Sequence, residues 1–393
     1  MNQRQLFLQH LAQTSPFPLA LEIDYAEGLY LYDTSGKTYM DLIAGIGVSV
    51  LGHRPPQVAA AIKAQLDRYW HTMVYGEYVL APQVQLAARL ASYLPPELSS
   101  VYFVNSGSEA TEGAMKLAKR YTGRAEIIAC RYAYHGSTQG SASLMWPKDF
   151  TAPYHPLLPG IAHIDFNEEA HLSQITEKTA CVVIETVQAE WGVRKPAPNY
   201  LRLLRDRCTE TGTLLVLDEI QAGYGRTGTL FAFEQYGIVP DVLLLGKGMG
   251  GGMPIAAFVA GQNLMNALSD NPMLGHITTF GGHPVSCAAA LATLEALVGG
   301  EWLAQVGFKS ALFVQLLQHP AIVEVRSAGL LIAVELGDFA AVQAVIQICL
   351  EKGLIIDWFL FNNRSLRIAP PLIISETQIR EACAILIQAL DRL

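Results

Sequence analysis

Residues 214–252 constrain the fold of this chain more than any other part of its sequence. They contain two short apolar runs, at 214–217 and 242–245, and each run is typical of a strand buried on both faces of a parallel sheet. Asp218 directly follows the first run, and Lys247 follows the second run after one glycine. Ligands of open α/β sheets bind just beyond the carboxyl ends of the strands, so we expect both charges in one crevice.

A carboxylate and a lysine amine in one crevice are the groups that pyridoxal 5'-phosphate (PLP) requires. The lysine forms a Schiff base with the cofactor, and the carboxylate faces the pyridinium nitrogen. A solvated surface position would be the simpler explanation of Lys247. However, this lysine follows an apolar run in a chain with 16% charged residues, and the glycines around it leave room for a flat ring. The sequence therefore predicts a PLP site that uses Lys247 and Asp218.

Strand-like and helix-like segments alternate from about residue 101 to residue 260. This alternation predicts an α/β fold in which helices flank a mostly parallel sheet. After residue 284 the pattern changes to helices followed by a few strands, which is typical of a smaller α+β domain. We therefore predict a large domain over residues 46–285 and a small domain over 286–393. The N-terminal segment, residues 1–45, is expected to pack with the small domain.

The composition argues against several classes of partner. A hydrophobic fraction of 51% indicates a globular chain, and a net charge of -8 argues against nucleic acid or an anionic membrane as a partner. The six cysteines include no CxxC pair and no metal-type spacing, so we expect reduced thiols in a cytoplasmic protein and no metal site. We also expect no signal peptide and no membrane span, because the apolar runs are short or interrupted.

A strand at residues 101–104, a turn of small residues and a following helix predict a phosphate site. The start of a helix leaves backbone N–H groups unpaired, and the helix dipole favours an anion there. A simpler interpretation is that Ser106 or Ser108 only caps the helix, and the spacing alone favours the cap.

Gly223, Gly225 and Gly228 match the GxGxxG pattern of nicotinamide- and flavin-binding proteins. In those proteins the glycines directly follow a strand and open a helix, whereas here residues 219–222 intervene and no helical pattern follows. A nicotinamide-dependent oxidoreductase is therefore the weaker alternative. It would have to bind NAD tightly and stay active after Lys247→Ala.

Seven short motifs resemble those of the class III aminotransferases, which are PLP enzymes of fold type I. The group contains acetylornithine, ornithine and 4-aminobutyrate aminotransferases, and the resemblance covers nearly the whole chain. The motifs, in the order and approximate spacing of the family, are NSGSEATE (105–112), YHG (134–136), LDEIQ (217–221), GYGRTG (223–228), LGKG (245–248), TTFGG (278–282) and LRIAPP (366–371).

The resemblance implies how this chain holds the cofactor. Lys247 is the Schiff-base lysine and moves a proton during the reaction, and Asp218 keeps the pyridine nitrogen protonated. The backbone N–H groups of Gly107 and Ser108 bind the phosphate. Tyr134 stacks on the cofactor ring.

The resemblance also implies how substrates and a second subunit contribute. Gln221 lies near the ring hydroxyl, and Thr279 reaches the phosphate of the other subunit, which makes the enzyme a homodimer. Arg367 binds a substrate carboxylate in a bidentate fork, and Glu190 pairs with that arginine when an amine is bound. Thr278 is a further candidate for substrate contact.

Two departures from the family pattern bear on the substrate. Ser137 stands where an arginine usually follows YHG, so one carboxylate clamp is lost at this candidate substrate position. Trp191 follows Glu190 where a small residue is common, and its bulk is expected to narrow the pocket. We predict a ping-pong transaminase that moves an amino group from an ω-amino acid or amine to a keto acid, with 2-oxoglutarate as the expected acceptor.

A PLP-dependent aminomutase, racemase or decarboxylase is the alternative on the same scaffold. Product analysis with and without a keto acceptor distinguishes these enzymes from a transaminase.

Overall fold

Within residues 2–393, which the computed structural model describes, the chain forms fifteen strands and twelve α-helices. The strands are β1 (Ile23–Glu27), β2 (Tyr30–Asp33), β3 (Thr38–Asp41), β4 (Ser100–Val104), β5 (Glu126–Cys130), β6 (Ile161–Ile164), β7 (Thr179–Glu185), β8 (Leu214–Asp218), β9 (Val242–Leu245), β10 (Ala256–Ala260), β11 (Glu324–Ala328), β12 (Leu331–Glu335), β13 (Leu354–Ile355), β14 (Asp357–Phe359) and β15 (Asn362–Ile368). The helices are α1 (Gln3–His10), α2 (Ala44–Gly47), α3 (Pro56–Leu66), α4 (Ala81–Ala91), α5 (Gly107–Thr122), α6 (Gln139–Ser143), α7 (Tyr200–Thr211), α8 (Gln262–Met265), α9 (Pro284–Gly299), α10 (Trp302–Leu316), α11 (Phe339–Glu351) and α12 (Glu376–Leu390).

The largest sheet has seven strands in the order β4-β10-β9-β8-β7-β5-β6. Its strands run in one direction except β10, which is antiparallel to both of its neighbours, β4 and β9. β8 and β9 are parallel neighbours, so the chain leaves both strands at the same edge of the sheet. The predicted α/β architecture with a mostly parallel sheet is confirmed.

The buried strands β7, β8 and β9 explain the continuous apolar runs of the sequence. Every residue of these three strands is buried. Successive side chains of a strand point to opposite faces of the sheet. Val182 and Leu215 join a core cluster with α7, whereas Val183 and Val216 join a second cluster with α5. Because helices cover both faces, apolar residues occupy both sets of positions.

Two four-stranded sheets complete the fold. The first, β11-β12-β15-β14, is antiparallel throughout. The second, β1-β2-β3-β13, joins the N-terminal hairpin to a strand near the C-terminus, with Met40 paired in parallel to Leu354. Helix α9 packs against α3 and α4. The division of the chain at residues 45 and 285 stays a prediction, and the pairing of β3 with β13 supports the expected place of the N-terminal segment.

No single helix within residues 2–393 is both long enough and apolar enough to cross a membrane. Helices α9 and α10 together reach the required length and composition, but they bend by 71° at their junction.

Candidate active site

A cavity of about 190 Å³ lies at the carboxyl edge of the large sheet. Its walls come from the segments that follow β4, β5, β7, β8 and β9. The cavity brings together the predicted residues Gly107, Ser108, Tyr134, Asp218, Gln221 and Lys247. Its other lining residues are His135, Gly136, Glu185, Val187, Ile220 and Ala222. The crevice expected beyond Asp218 and Lys247 is therefore present.

His135 fixes Asp218 at the cavity wall, although this histidine is absent from the predicted site residues. Its Nδ1 lies 2.7 Å from Oδ2 of Asp218, and the backbone N–H of Ile220 donates to Oδ1 at 2.9 Å. An ionised carboxylate only accepts hydrogen bonds, so Nδ1 carries the proton. Burial lowers the pKa of His135, but the hydrogen bond and charge of Asp218, with the charge of Glu185, raise it above its ordinary value.

Glu185 at the end of β7 is a second acid that the sequence predictions omitted. Its carboxylate accepts hydrogen bonds from the backbone N–H groups of Tyr134, at 2.8 Å, and Ala189, at 2.6 Å. Burial, together with the negative charge of Asp218, raises the pKa of Glu185 to about 7. Glu185 thus links the Tyr134 segment to the loop after β7.

Lys247 enters the cavity from a short 3-10 turn, Lys247–Gly250, that follows β9. Its backbone has φ 44°, a left-handed conformation that non-glycine residues rarely adopt. Burial lowers the pKa of the Lys247 amine, and the charge of Arg367 acts in the same direction. A lowered pKa increases the fraction of neutral amine, which is the form that attacks a carbonyl carbon.

The start of α5 combines a helix cap with two unpaired N–H groups. Ser106 is the cap: its Oγ accepts from Glu109 N at 3.3 Å, and the Glu109 carboxylate accepts from Ser106 N at 2.9 Å. The N–H groups of Gly107 and Ser108 have no acceptor among residues 2–393. Gly136 has φ 127°, and a Cβ at this position would collide with Ser108. The capping interpretation is thus correct for Ser106, while the next two residues face the cavity.

Arg367 and Glu190 form a buried ion pair beside the cavity. Nη1 of Arg367 lies 2.7 Å from Oε1 of Glu190, and each side chain is 7% exposed. The same Oε1 accepts from Nε2 of Gln221 at 3.2 Å, which connects the pair to the cavity wall. Nη2 of Arg367 donates to the carbonyl oxygen of Trp358, and its Nε has no partner within residues 2–393.

The remaining predicted residues lie outside this cavity. Ser137 stands at its rim, where its Oγ is 2.9 Å from Oη of Tyr134. Thr278 accepts a hydrogen bond from Asn105 at 3.0 Å and lines a second cavity of about 310 Å³. Thr279 is exposed and lines neither cavity.

Trp191 does not line this cavity, and its expected narrowing of the substrate pocket stays a prediction. Its ring stacks on Tyr132 with centroids 4.8 Å apart, and the guanidinium of Arg194 lies 5.3 Å from its centroid. The indole therefore packs the loop that carries Glu190 against Tyr132.

The family model for class-III aminotransferases matches residues 12–390 of the chain. The chain belongs to the class-III aminotransferases. This aminotransferase is 37% identical to the acetylornithine aminotransferase of Methanopyrus kandleri over 99% of each chain. It is 40% identical to the putrescine aminotransferase of Pectobacterium atrosepticum, over 90% of this chain and 78% of that one. The ornithine aminotransferase of Toxoplasma gondii, with PLP at partial occupancy in its active site, gives a TM-score of 0.91 at 29% identity, over 99% of this chain and 93% of that one.

Membership of this family makes the chain a PLP-dependent enzyme of fold type I, which moves an amino group from an amino donor to a keto-acid acceptor. The chemistry of the cavity fits the cofactor. The free N–H groups of Gly107 and Ser108 suit a phosphate, Lys247 offers an amine of lowered pKa, and His135 fixes the carboxylate of Asp218.

The family assignment rules out the nicotinamide alternative, and the segment that carries the GxGxxG glycines has a structural role. Residues 223–228 form a loop, and the next helical segment is a short 3-10 turn that begins at Ala232. From this loop Arg226, only 1% exposed, donates to the carbonyl oxygens of Leu330 and Pro370. The loop therefore attaches the large sheet to the segment that follows Arg367.

Proposed function

We propose that this aminotransferase takes its amino group from an ω-amino acid or a primary amine and passes it to 2-oxoglutarate in a ping-pong cycle. The buried pair of Arg367 and Glu190 is the observation that carries the proposal. A ping-pong enzyme must admit two different substrates to one pocket in turn. An arginine charge that a glutamate can either neutralise or leave free allows one pocket to bind both substrates.

Each position of Glu190 suits one of the two substrates. While Glu190 neutralises Arg367, a donor without a nearby carboxylate meets no unpaired charge. When Glu190 turns away, Arg367 offers a planar, bidentate site to the carboxylate of the keto acid. Lys247 is the one lysine or arginine that lines the cavity within residues 2–393, which supports a donor with no second carboxylate to be held there.

The names of the relatives agree with this substrate class. Acetylornithine and putrescine, after which two relatives are named, both carry a primary amine at the end of a short carbon chain. Putrescine has no carboxylate, and Ser137 offers none of the positive charge that a second carboxylate would need. Ser137 and Thr278 stay candidates for substrate contact.

The residues of the cavity divide the work of holding and using the cofactor. When bound, PLP supplies the electron sink for amino transfer. The N–H groups of Gly107 and Ser108 would hold its phosphate, and the Tyr134 ring would stack on it. The charge of Asp218 would keep a proton on the ring nitrogen, and Lys247 would bind the cofactor and move the substrate proton.

Gln221 has two tasks in this proposal. It lines the cavity, where it would contact the ring hydroxyl of the cofactor, and its amide also donates to Glu190 at 3.2 Å. One side chain therefore connects the cofactor to the pair that selects the substrate. A change of Gln221 should alter both cofactor binding and substrate preference.

The proposed enzyme is a homodimer in which Thr279 serves the partner's cofactor phosphate. Thr279 is exposed in the single chain, next to Phe280, which is 53% exposed. Tyr78, which is 55% exposed, lines the second cavity together with the neighbouring Thr278. Contiguous exposed apolar surface marks sites of protein association.

A cytoplasmic location completes the proposal. All six cysteines are free and buried. Burial raises the pKa of Cys130 well above its ordinary value, which keeps this thiol unreactive. Free cysteines of this kind are typical of a reducing compartment.

A donor screen tests the proposed function. Purified holoenzyme is mixed with mono-amines, diamines and ω-amino acids, and the loss of the yellow colour of the lysine-bound cofactor is recorded. Colour should return when 2-oxoglutarate is added, and faster than with pyruvate. If no donor removes the colour, or if product accumulates over many turnovers without a keto acceptor, the transaminase proposal fails.

A further inference from the structure

Two arginines of the β11-β12-β15-β14 sheet contact the same loop, and they lie in line with each other across three neighbouring strands. Arg326 on β11 is paired with Ala333 on β12, and Ala333 is paired with Arg367 on β15. Residues that face each other across antiparallel strands point to the same side. Both guanidinium groups therefore leave the same face of the sheet, with only the small side chain of Ala333 between them. The loop on that face carries Glu190.

The Glu190 loop, residues 188–194, is a tight hairpin. Gln188 and Arg194 exchange two backbone hydrogen bonds, of 3.0 and 2.8 Å, at its base. Gly192 and Val193 have φ values of 80° and 58°. The left-handed region is unfavourable for a β-branched residue such as valine, so this shape persists only when surrounding contacts hold it.

The two arginines hold different parts of this loop. Nη1 of Arg367 donates to the Glu190 side chain at 2.7 Å, whereas Nε of Arg326 donates to the backbone carbonyl of Gly192, also at 2.7 Å. A small apolar cluster packs the loop against the same face of the sheet. Arg326 thus fixes the main chain two residues beyond the glutamate that covers Arg367.

Arg326 is itself fixed by polar groups of the sheet. Its Nη2 donates to Oε2 of Glu335 at 2.8 Å and to Oγ of Ser365 at 3.0 Å, and Nη1 contacts Glu324. The Arg326 side chain is 9% exposed. With its donors committed in this way, the guanidinium keeps one orientation, and that orientation aims Nε at Gly192.

We infer that Arg326 is a positioning residue that controls how readily Glu190 releases Arg367, and so sets the preference between carboxylate and amine substrates. The inference rests on the proposed function, in which Glu190 leaves Arg367 before the keto acid binds. While Arg326 holds the loop, Glu190 departs by rotating its own side chain and breaking its bonds from Leu360 N, at 2.9 Å, and from Gln221 Nε2, at 3.2 Å. Without that hold the loop keeps the 3.0 Å bond from Phe361 N to the carbonyl oxygen of Glu190 but loses its attachment at Gly192, so its main chain can shift and release becomes easier.

The test compares Arg326→Gln with Arg364→Gln. Arg364 is a matched control because its Nε lies 3.6 Å from the same Glu335, its side chain is 63% exposed and it does not contact the loop. Two half-reactions are followed in the full-length enzyme. Putrescine is added to the PLP form, and 2-oxoglutarate is added to enzyme loaded with pyridoxamine phosphate.

We expect Arg326→Gln to raise kcat/KM for 2-oxoglutarate about tenfold, the effect of one lost charge-assisted hydrogen bond that had favoured the covered state. The value for putrescine should stay the same or fall. Arg364→Gln should remain within about twofold of wild type for both substrates, because exposed ion pairs contribute little. A rise for one substrate alone separates positioning from a structural role, which would lower both values.

An unchanged or lower kcat/KM for 2-oxoglutarate in Arg326→Gln overturns the inference. Ser365→Ala covers the case in which that variant does not fold, because it keeps Arg326 and removes one acceptor that aims it. In Ser365→Ala we expect a smaller rise of kcat/KM for 2-oxoglutarate. The absence of that rise also overturns the inference. Wild-type enzyme that reacts with neither substrate refutes the proposed function itself, which is a separate result.

Discussion

Asp218 accepts a hydrogen bond of 2.7 Å from His135, and the two side chains are 4% and 0% exposed. The histidine reaches the acid from the segment after β5, while Asp218 ends β8. The Asp218 carboxylate at the cavity wall therefore has its orientation set by the segment after β5, a strand two places away in the sheet.

Asp218→Asn should lower kcat/KM at least about a hundredfold, because the ring nitrogen loses the charge that keeps it protonated. His135→Gln should keep that charge but loosen its orientation, so we expect a loss of about tenfold with the cofactor still bound. Steady-state kinetics and the absorbance of bound cofactor check both. Full activity in Asp218→Asn would contradict the role of this acid.

Borohydride reduction of the holoenzyme should attach the cofactor to Lys247 alone, as read by peptide mass spectrometry. Lys309 is a suitable control, since it is 4% exposed, burial lowers its pKa to about 8, and its amine donates to the carbonyl of Leu372. Lys247→Ala should abolish the label and lower kcat at least about a thousandfold. Lys309→Gln should keep the label. A label on any other lysine would contradict the assignment of Lys247 as the Schiff-base lysine.

Mixing two defective enzymes tests whether Thr279 serves the partner's site. Thr279→Val should weaken activity about tenfold through the lost phosphate contact, and Lys247→Ala should be inactive. If sites are shared, a mixed dimer contains one site with both lesions and one intact site. Random reassortment of equal amounts should then recover about a quarter of wild-type activity. If each chain uses its own Thr279, mixing recovers nothing beyond the weakened variant.

Glu185 should make the stability of the protein depend on pH. Its folded pKa is raised to about 7, so the folded state binds a proton more tightly than the unfolded chain. This contribution is complete below the ordinary pKa of a glutamate and disappears as pH rises through about 7. The free energy of unfolding of wild type should therefore fall more steeply between pH 5 and pH 8 than that of Glu185→Gln. Denaturation at a fixed, saturating cofactor concentration measures both slopes.

The exposed Glu177 provides the control for that experiment. Glu177→Gln should keep the wild-type slope. Equal slopes in wild type and Glu185→Gln would show that Glu185 is ionised throughout this range.

Arg367→Ala should impair substrates with a carboxylate far more than simple amines. The loss of a bidentate, buried arginine contact should raise KM for 2-oxoglutarate about a hundredfold. The exposed Arg364→Ala is the control and should change little. Equal losses for 2-oxoglutarate and for an amine donor would remove the role given to Arg367.

The sequence contains enough information for the sheet core and for the ends of its strands. Continuous apolar runs predict β8 and β9, and Asp218 and Lys247 are conspicuous because each is a charge that follows such a run. The sequence does not reveal the direction of β10, because its residues AAFVA would be equally apolar in either orientation. Periodicity reports burial and does not report direction.

His135 and Glu185 could not be found by spacing. Glu185 is the last residue of β7, His135 lies five residues after the end of β5, and polar residues at such places often only end a strand or begin a loop. Their importance comes from contacts across the sheet, between segments 83 residues apart in one case. The pairing of Arg326 with the Glu190 loop spans 134 residues, so local sequence patterns contain no trace of it.

The parallel pairing of β8 with β9, in which Asp218 faces Leu244, places the acid and the lysine by main-chain hydrogen bonds. The spacing of the two backbones is thus fixed by main-chain pairing, and His135 then orients the Asp218 carboxylate. A partly unfolded form in which β8 and β9 separate therefore loses the spacing between Asp218 and Lys247. Catalytic competence and the integrity of the central sheet should therefore be lost together.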